Sequence, residues 1–140
     1  MEAGGADIIE LGMPFTDPIA DGPTIQKSNT QALKNNINTS DCLQMVRDAR
    51  QRGLKAPVLL MGYYNPLLSY GEERMLKDAK EAGVNGFIIV DLPPEEAVRF
   101  RNFCNKAGYV SPHKGNPALA DSGLAYHTSR SLPLRHPKSA

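Results

Sequence analysis

Three short apolar runs recur along the chain: "ADIIELG" (6–12), "APVLLMGYY" (56–64) and "GFIIVDLPP" (86–94). Each is too brief for a helix and is bounded by Gly or Pro, so each reads as a strand. "GYV" (108–110) is a candidate start for a fourth. Their apolar character is continuous, not alternating, which is what a strand covered on both faces needs and therefore what a parallel sheet supplies. Parallel neighbours cannot be joined by a tight turn. The intervals between the runs must hold crossovers.

Those intervals have helical period. In "NTSDCLQMVRDARQRG" (38–53), Cys42, Met45, Val46 and Ala49 recur at the spacing of one helix face, Thr39 or Ser40 is placed to cap the first turn, and Gly53 is placed to end the last. "EERMLKDAKEAG" (72–83) puts Met75, Leu76 and Ala79 inward with Gly83 as its stop, and "PEEAVRFRNFCNKAG" (94–108) opens on Pro94 and two acids and closes on Gly108. "TIQKSNTQALKNN" (24–36) reads as a further helix opened by Pro23. Strand and helix thus alternate, giving an α/β fold with a parallel sheet wrapped by helices. No glycine-rich dinucleotide fingerprint or phosphate-loop motif follows any of these strands, which favours a piece of a (β/α)8 barrel over a nucleotide-binding open sheet.

Composition separates the last thirty residues from the rest. Residues 1–110 carry a formal net charge of −2 and residues 111–140 one of +3, and this second segment holds all three histidines and no Val, Ile, Met or Phe. It has little with which to offset the entropy of ordering, so 1–110 is expected to be the folded unit and 111–140 a disordered tail. The whole chain is near neutral, at +1, which gives no electrostatic reason to expect nucleic acid or a membrane surface as partner. No run reaches membrane-spanning length and no basic segment precedes an apolar one near Met1, so a cytoplasmic location is the expectation. Cys42 and Cys104 fall among the apolar positions of helices and read as small core residues, not nucleophiles.

The chemistry is expected at one end of the sheet. Glu10 closes the first strand and Asp91 the third, while Asp17 and Asp21 lie in the loop "MPFTDPIADGP" directly after Glu10. In a parallel sheet these carboxyl ends share one face, and barrel enzymes keep their chemistry there. Two carboxylates in unlike surroundings can divide the work, a desolvated one exchanging protons while a solvated one remains a fixed anion. Glu10, at a strand end expected to be buried, is the candidate for proton transfer, and Asp21 the candidate for holding a donor or a developing positive charge. The competing readings are structural: such acids also cap helices and organise turns beside proline. Tyr63 and Tyr64 offer either a flat wall to a ligand or an aromatic plug over the mouth, and Asn65, before Pro66, reads as a turn residue.

"IIELGMPFTDPIADGPTIQ", followed by "LLMGYYNPLLSYG" and "FIIVDLPPEEA", closely resembles the α subunit, or α domain, of tryptophan synthase, especially the fungal forms in which α and β activities share a chain. The resemblance covers residues 1 to about 110. It implies roughly strands two to four of a TIM barrel, and a lyase that cleaves indole-3-glycerol phosphate to indole and glyceraldehyde 3-phosphate with neither metal nor organic cofactor. By motif it implies that Glu10 is the acid/base, that Asp21 contacts the indole N–H, and that Tyr63 walls the indole pocket. It further implies that Asp17, Asn65 and Pro93 face a β subunit or fused β domain, which uses pyridoxal phosphate to make tryptophan. A complete barrel of this kind takes about 250 residues, and its late phosphate-binding loops have no counterpart here. The alternative expectation is therefore a non-catalytic truncated product or weak interaction module; another sugar-phosphate barrel enzyme is a third reading.

Overall fold

In the computed structural model, residues 1–109 and the backbone of residues 125–127 are described. Three strands, β1 (Ile9–Gly12), β2 (Val58–Gly62) and β3 (Gly86–Ile89), pair in parallel in sequence order. The connections carry helices α1 (Pro23–Lys34) and α2 (Thr39–Gln51) between β1 and β2, α3 (Tyr64–Tyr70) and α4 (Glu72–Ala82) between β2 and β3, and α5 (Pro94–Lys106) after β3. A short β4 (Ala125–His127) pairs antiparallel with the outer edge of β3. These three residues are strand where disorder is expected; the rest of 111–140 lies outside the described residues.

The sheet has an apolar side facing the helices. Ile9, Leu11, Val58, Leu60, Phe87 and Ile89 alternate onto that side and join one core with Cys42, Leu43 and Val46 of α2, Met75, Leu76 and Ala79 of α4, and Ala97, Phe100 and Cys104 of α5. The Phe87 ring meets those of Phe100 and Tyr109 edge-on, at centroid separations of 6.1 and 5.4 Å, a favoured geometry that adds to the 1.5–3 kcal/mol or so gained by burying each large apolar side chain. The opposite side carries Glu10, Leu59, Met61 and Ile88 and corresponds to the interior of the expected barrel. α1 has no buried residue, and among the described residues β1 has one strand partner, β2.

Four local expectations are corrected. α2 is capped by Asn38, not Thr39 or Ser40: the Asn38 side chain accepts from the N–H groups of Ser40 (2.8 Å) and Asp41 (3.2 Å), and Asp41 accepts from the Asn38 N–H at 2.9 Å. This is a reciprocal capping box. On the same helix Met45 is exposed and Leu43 buried, because Arg50 also faces inward and rotates the buried stripe toward Leu43. β2 stops at Gly62 instead of running to Tyr64, and residues 64–70 form α3, so Asn65 lies in a first helical turn. Finally, residues 108 and 109 start no strand: Gly108 takes φ 80° and the Tyr109 N–H bonds back to Cys104 O at 2.8 Å, closing α5; Val110 lies outside the described residues.

Candidate active site

At the carboxyl ends of β1 and β2, a cavity of about 250 Å³ is lined by Glu10, Asp21, Met61, Tyr63, Ile25 and Asn29, among others. The two carboxylates singled out by sequence therefore share one cavity. Its remaining wall is largely apolar, as in small-molecule pockets where a few polar groups fix a ligand. β1 delivers Glu10, and the loop over residues 13–22 returns across the strand end to deliver Asp21.

That loop is fastened along its length. The Met13 N–H donates to Met61 O at 2.8 Å, adding a rung beyond β1. Asn29, on α1, pinches the backbone of Phe15: its Oδ1 accepts from the Phe15 N–H at 2.7 Å and its Nδ2 donates to the Phe15 carbonyl. Phe15 in turn packs on the Tyr63 ring, centroids 5.1 Å apart. The Ala20 N–H donates to the Tyr63 hydroxyl oxygen at 2.8 Å, and Gln26 Nε2 donates to Asp21 O at 3.0 Å. Tyr63 is thus both part of the cavity wall and a tie for the backbone immediately before Asp21. Asn29 and Gln26 were not foreseen; a polar, poor helix-former such as Asn on the loop-facing side of α1 is the one local signal.

The acids at this end differ in what they already hold. Asp17 Oδ2 accepts from the Thr16 hydroxyl at 2.6 Å, and Asp91 Oδ1 accepts from the Tyr64 N–H at 2.6 Å. Among the described residues, neither the Glu10 nor the Asp21 carboxylate has a hydrogen-bond or ion-pair partner. The expectation that Glu10 is buried is corrected: it is exposed, on a strand that stands at the edge of the described sheet and pairs there with β2 alone. Tyr64 takes neither the wall role nor the plug role: it is buried in the core on the helix side of the sheet, its ring edge-on to Phe100, and its hydroxyl donates to Glu72 at 2.6 Å and accepts from Arg99 at 3.1 Å. Asp17, Asn65 and Pro93 are all exposed, each on the connection that follows a different strand.

A parallel strand-helix array with two unengaged carboxylates over the carboxyl ends of its strands is part of a (β/α)8 barrel of the enzymatic kind. The family model described as tryptophan synthase alpha chain matches residues 1–118, and the chain belongs to that family. It is 65% identical over 121 residues to the tryptophan synthase of Saccharomyces cerevisiae, covering 86% of this chain and 17% of that protein. With the tryptophan synthase alpha chain of Roseiflexus sp. it shares 51% identity over 108 residues, 77% of this chain and 41% of the other. The crystal structure of tryptophan synthase subunit alpha from Legionella pneumophila superposes with a TM-score of 0.74 at 47% identity, over 77% of this chain and 42% of that one. The chain spans less than half the length of each. Among the described residues no helix is long and apolar enough to cross a membrane.

Proposed function

We propose that the chain contributes the acid/base portion of a lyase that cleaves indole-3-glycerol phosphate to indole and glyceraldehyde 3-phosphate in tryptophan biosynthesis. The carrying observation is that Glu10 and Asp21, neither engaged by another described residue, line one largely apolar cavity. Retro-aldol cleavage needs a proton delivered to indole C3 and a proton removed from the side-chain hydroxyl, after which the carbon–carbon electron pair passes into the ring and the aldehyde departs. Glu10 is the group that moves these protons. Asp21 accepts from the indole N–H and offsets the positive charge that protonation places on the ring. Tyr63, Met61 and Ile25 supply the apolar wall. Proton transfers suffice for this step, so the reading calls for no metal or organic cofactor in the α reaction; pyridoxal phosphate belongs to the β partner.

The partner is a tryptophan synthase β subunit or fused β domain. Exposure of Asp17, Asn65 and Pro93 at the rim supports that surface. Indole release from indole-3-glycerol phosphate tests the activity, with the chain alone and with the portion of an alpha-chain relative that it does not span supplied as a second polypeptide. Release that disappears in Glu10→Gln and falls in Asp21→Asn supports the reading. Folded chain that releases none in either setting overturns it and leaves the non-catalytic interaction module, the reading that exposure of Glu10 favours.

A further inference from the structure

Asp21 approaches Glu10 from a loop that contains Pro14, Pro18 and Gly22 and has no helix or strand of its own between residues 13 and 22. Such a segment does not hold an acid in register by propensity; it has to be tied. Resting on the reading of Glu10 and Asp21 given above, we propose that Asn29 and Tyr63 are positioning residues that act as a paired clamp on this loop and so set where Asp21 stands relative to Glu10.

Each clamp grips backbone, not side chain, so it fixes the course of the chain whatever the loop residues are. Asn29 uses both ends of its amide on the two polar groups of the Phe15 residue, a two-point hold on the two peptide units that flank the Phe15 Cα and hence on the backbone torsions between them. Tyr63 holds the Ala20 N–H at 2.8 Å, one residue before Asp21. The two grips are coupled through the Phe15–Tyr63 ring contact at 5.1 Å. Loss of either therefore loosens both. Tyr63 is 4% exposed, so its hydroxyl has little water to fall back on and the Ala20 bond is its satisfied state. Gln26 adds a third tie at Asp21 O, from an exposed side chain that water competes for.

Amide hydrogen exchange on the chain reads the clamp without any ligand. In Tyr63→Phe, which keeps the ring and removes the acceptor, the Ala20 N–H is expected to exchange about tenfold faster while the β2 amides of Leu59 and Leu60 are unchanged. Asn29→Ala is expected to release Phe15 to a similar degree and to speed Ala20 as well; Asn29→Asp, which keeps the acceptor alone, falls between. Unchanged Ala20 exchange in both Tyr63→Phe and Asn29→Ala overturns the proposal. Titration with indole, followed by the shifts of the Asp21 and Glu10 resonances, then separates positioning from mere folding. Asn29→Ala is expected to weaken indole severalfold in the native background and to add nothing in an Asp21→Asn background, whereas equal weakening in both backgrounds shows that Asn29 does not act through Asp21. If indole fails to bind the native chain, the lyase reading of the mouth falls, and the exchange data still decide the clamp.

Discussion

Asp91 Oδ1 accepts the backbone N–H of Tyr64 at 2.6 Å, so the residue beyond one strand caps the helix that follows another. The bond crosses 27 residues of sequence and ties the end of β3 to the start of α3. It also gives Asp91 a structural partner that the Glu10 and Asp21 carboxylates lack among the described residues.

Replacing Asp91 tests that division of labour. The N-terminus of α3 has no side-chain cap from its own flanking residue, Tyr63, so Asp91→Ala leaves the Tyr64 N–H without this acceptor and is expected to cost about 1 kcal/mol. Asp91→Asn keeps an acceptor and is expected to cost less than half of that. Urea midpoints at fixed slope measure both. Equal stability of Asp91→Ala and the native chain shows the cap to be dispensable.

Arg50 is the comparable device at the opposite end of the sheet. Its guanidinium donates to Leu54 O (2.9 Å), Ala56 O (2.8 Å), Asn85 Oδ1 (2.7 Å) and twice to Gly83 O (3.1 and 2.9 Å). Arg50 thereby fastens α2 to the loops that enter β2 and β3, and Asn85 passes the tie on by accepting from the Val58 N–H at 3.0 Å. A lysine ammonium has three donors on a flexible stem and cannot reproduce this fork. Arg50→Lys is expected to lose about 2 kcal/mol, since carbonyls that were paired lose their donors. Urea unfolding checks it, and a loss below a few tenths of a kcal/mol shows that water replaces the fork.

These ties mark what sequence conveys and what it withholds. Strands, α2, α4 and α5 are legible because apolar period, first-turn acids and terminal Gly all lie within the segment they organise; Gly83 and Gly108 do take positive φ, at 89° and 80°. The cap of α2 is missed by one residue because Asn38, Thr39 and Ser40 are all competent caps. α3 is missed altogether, since its cap comes from Asp91. At the site, Glu10 and Asp21 are legible as a strand-end acid and the loop acid that follows it. Asn29 and the second role of Tyr63 are not, because bonds across 14 and 43 residues leave no local pattern. Burial of Glu10 fails for a different reason: it depends on what lies beyond the edge at which β1 stands, not on β1 itself.

The buried thiols give the chain an alkaline limit. Burial, with the nearby Asp41 charge second, pushes the Cys42 thiol from the usual 9.0 up to about 11, and burial, with Glu72 second, pushes Cys104 up to about 12. The folded chain thus keeps both protonated where the unfolded chain ionises them. Below about pH 9 the two states bind the same thiol protons and the contribution is fully present. Above it, the unfolded chain binds fewer protons than the native one, so stability falls as pH rises until the folded values are passed. Urea midpoints are expected to hold near neutrality and drop above about pH 9, and the part of the drop that begins between about pH 9 and 10 is expected to flatten in a Cys42→Ala/Cys104→Ala chain, while buried Tyr64 and Tyr109, also raised by burial, keep a dependence above about pH 10. The same burial makes both thiols slow toward an alkylating reagent until the chain is unfolded; rapid labelling of the native chain contradicts it.

Gly62 tests how closely the site loop sits on the sheet. A Cβ at this position would lie 3.0 Å from Met13 Cε and 3.3 Å from Met13 Cβ. The Met13 thioether end can swing aside, but its Cβ moves only with the backbone, and the Met13 N–H is already held on Met61 O at 2.8 Å. Gly62→Ala is therefore expected to push the first residue of the loop away from β2 and to destabilise the chain by about 1 kcal/mol. Because Met13 begins the segment that carries Asp21, faster exchange is expected to reach the Phe15 and Ala20 amides while those of α4 and α5 are spared. A gain in stability with unchanged loop exchange shows that the strand end has room, and that the glycine there serves the entropy of the unfolded chain and not the approach of the loop.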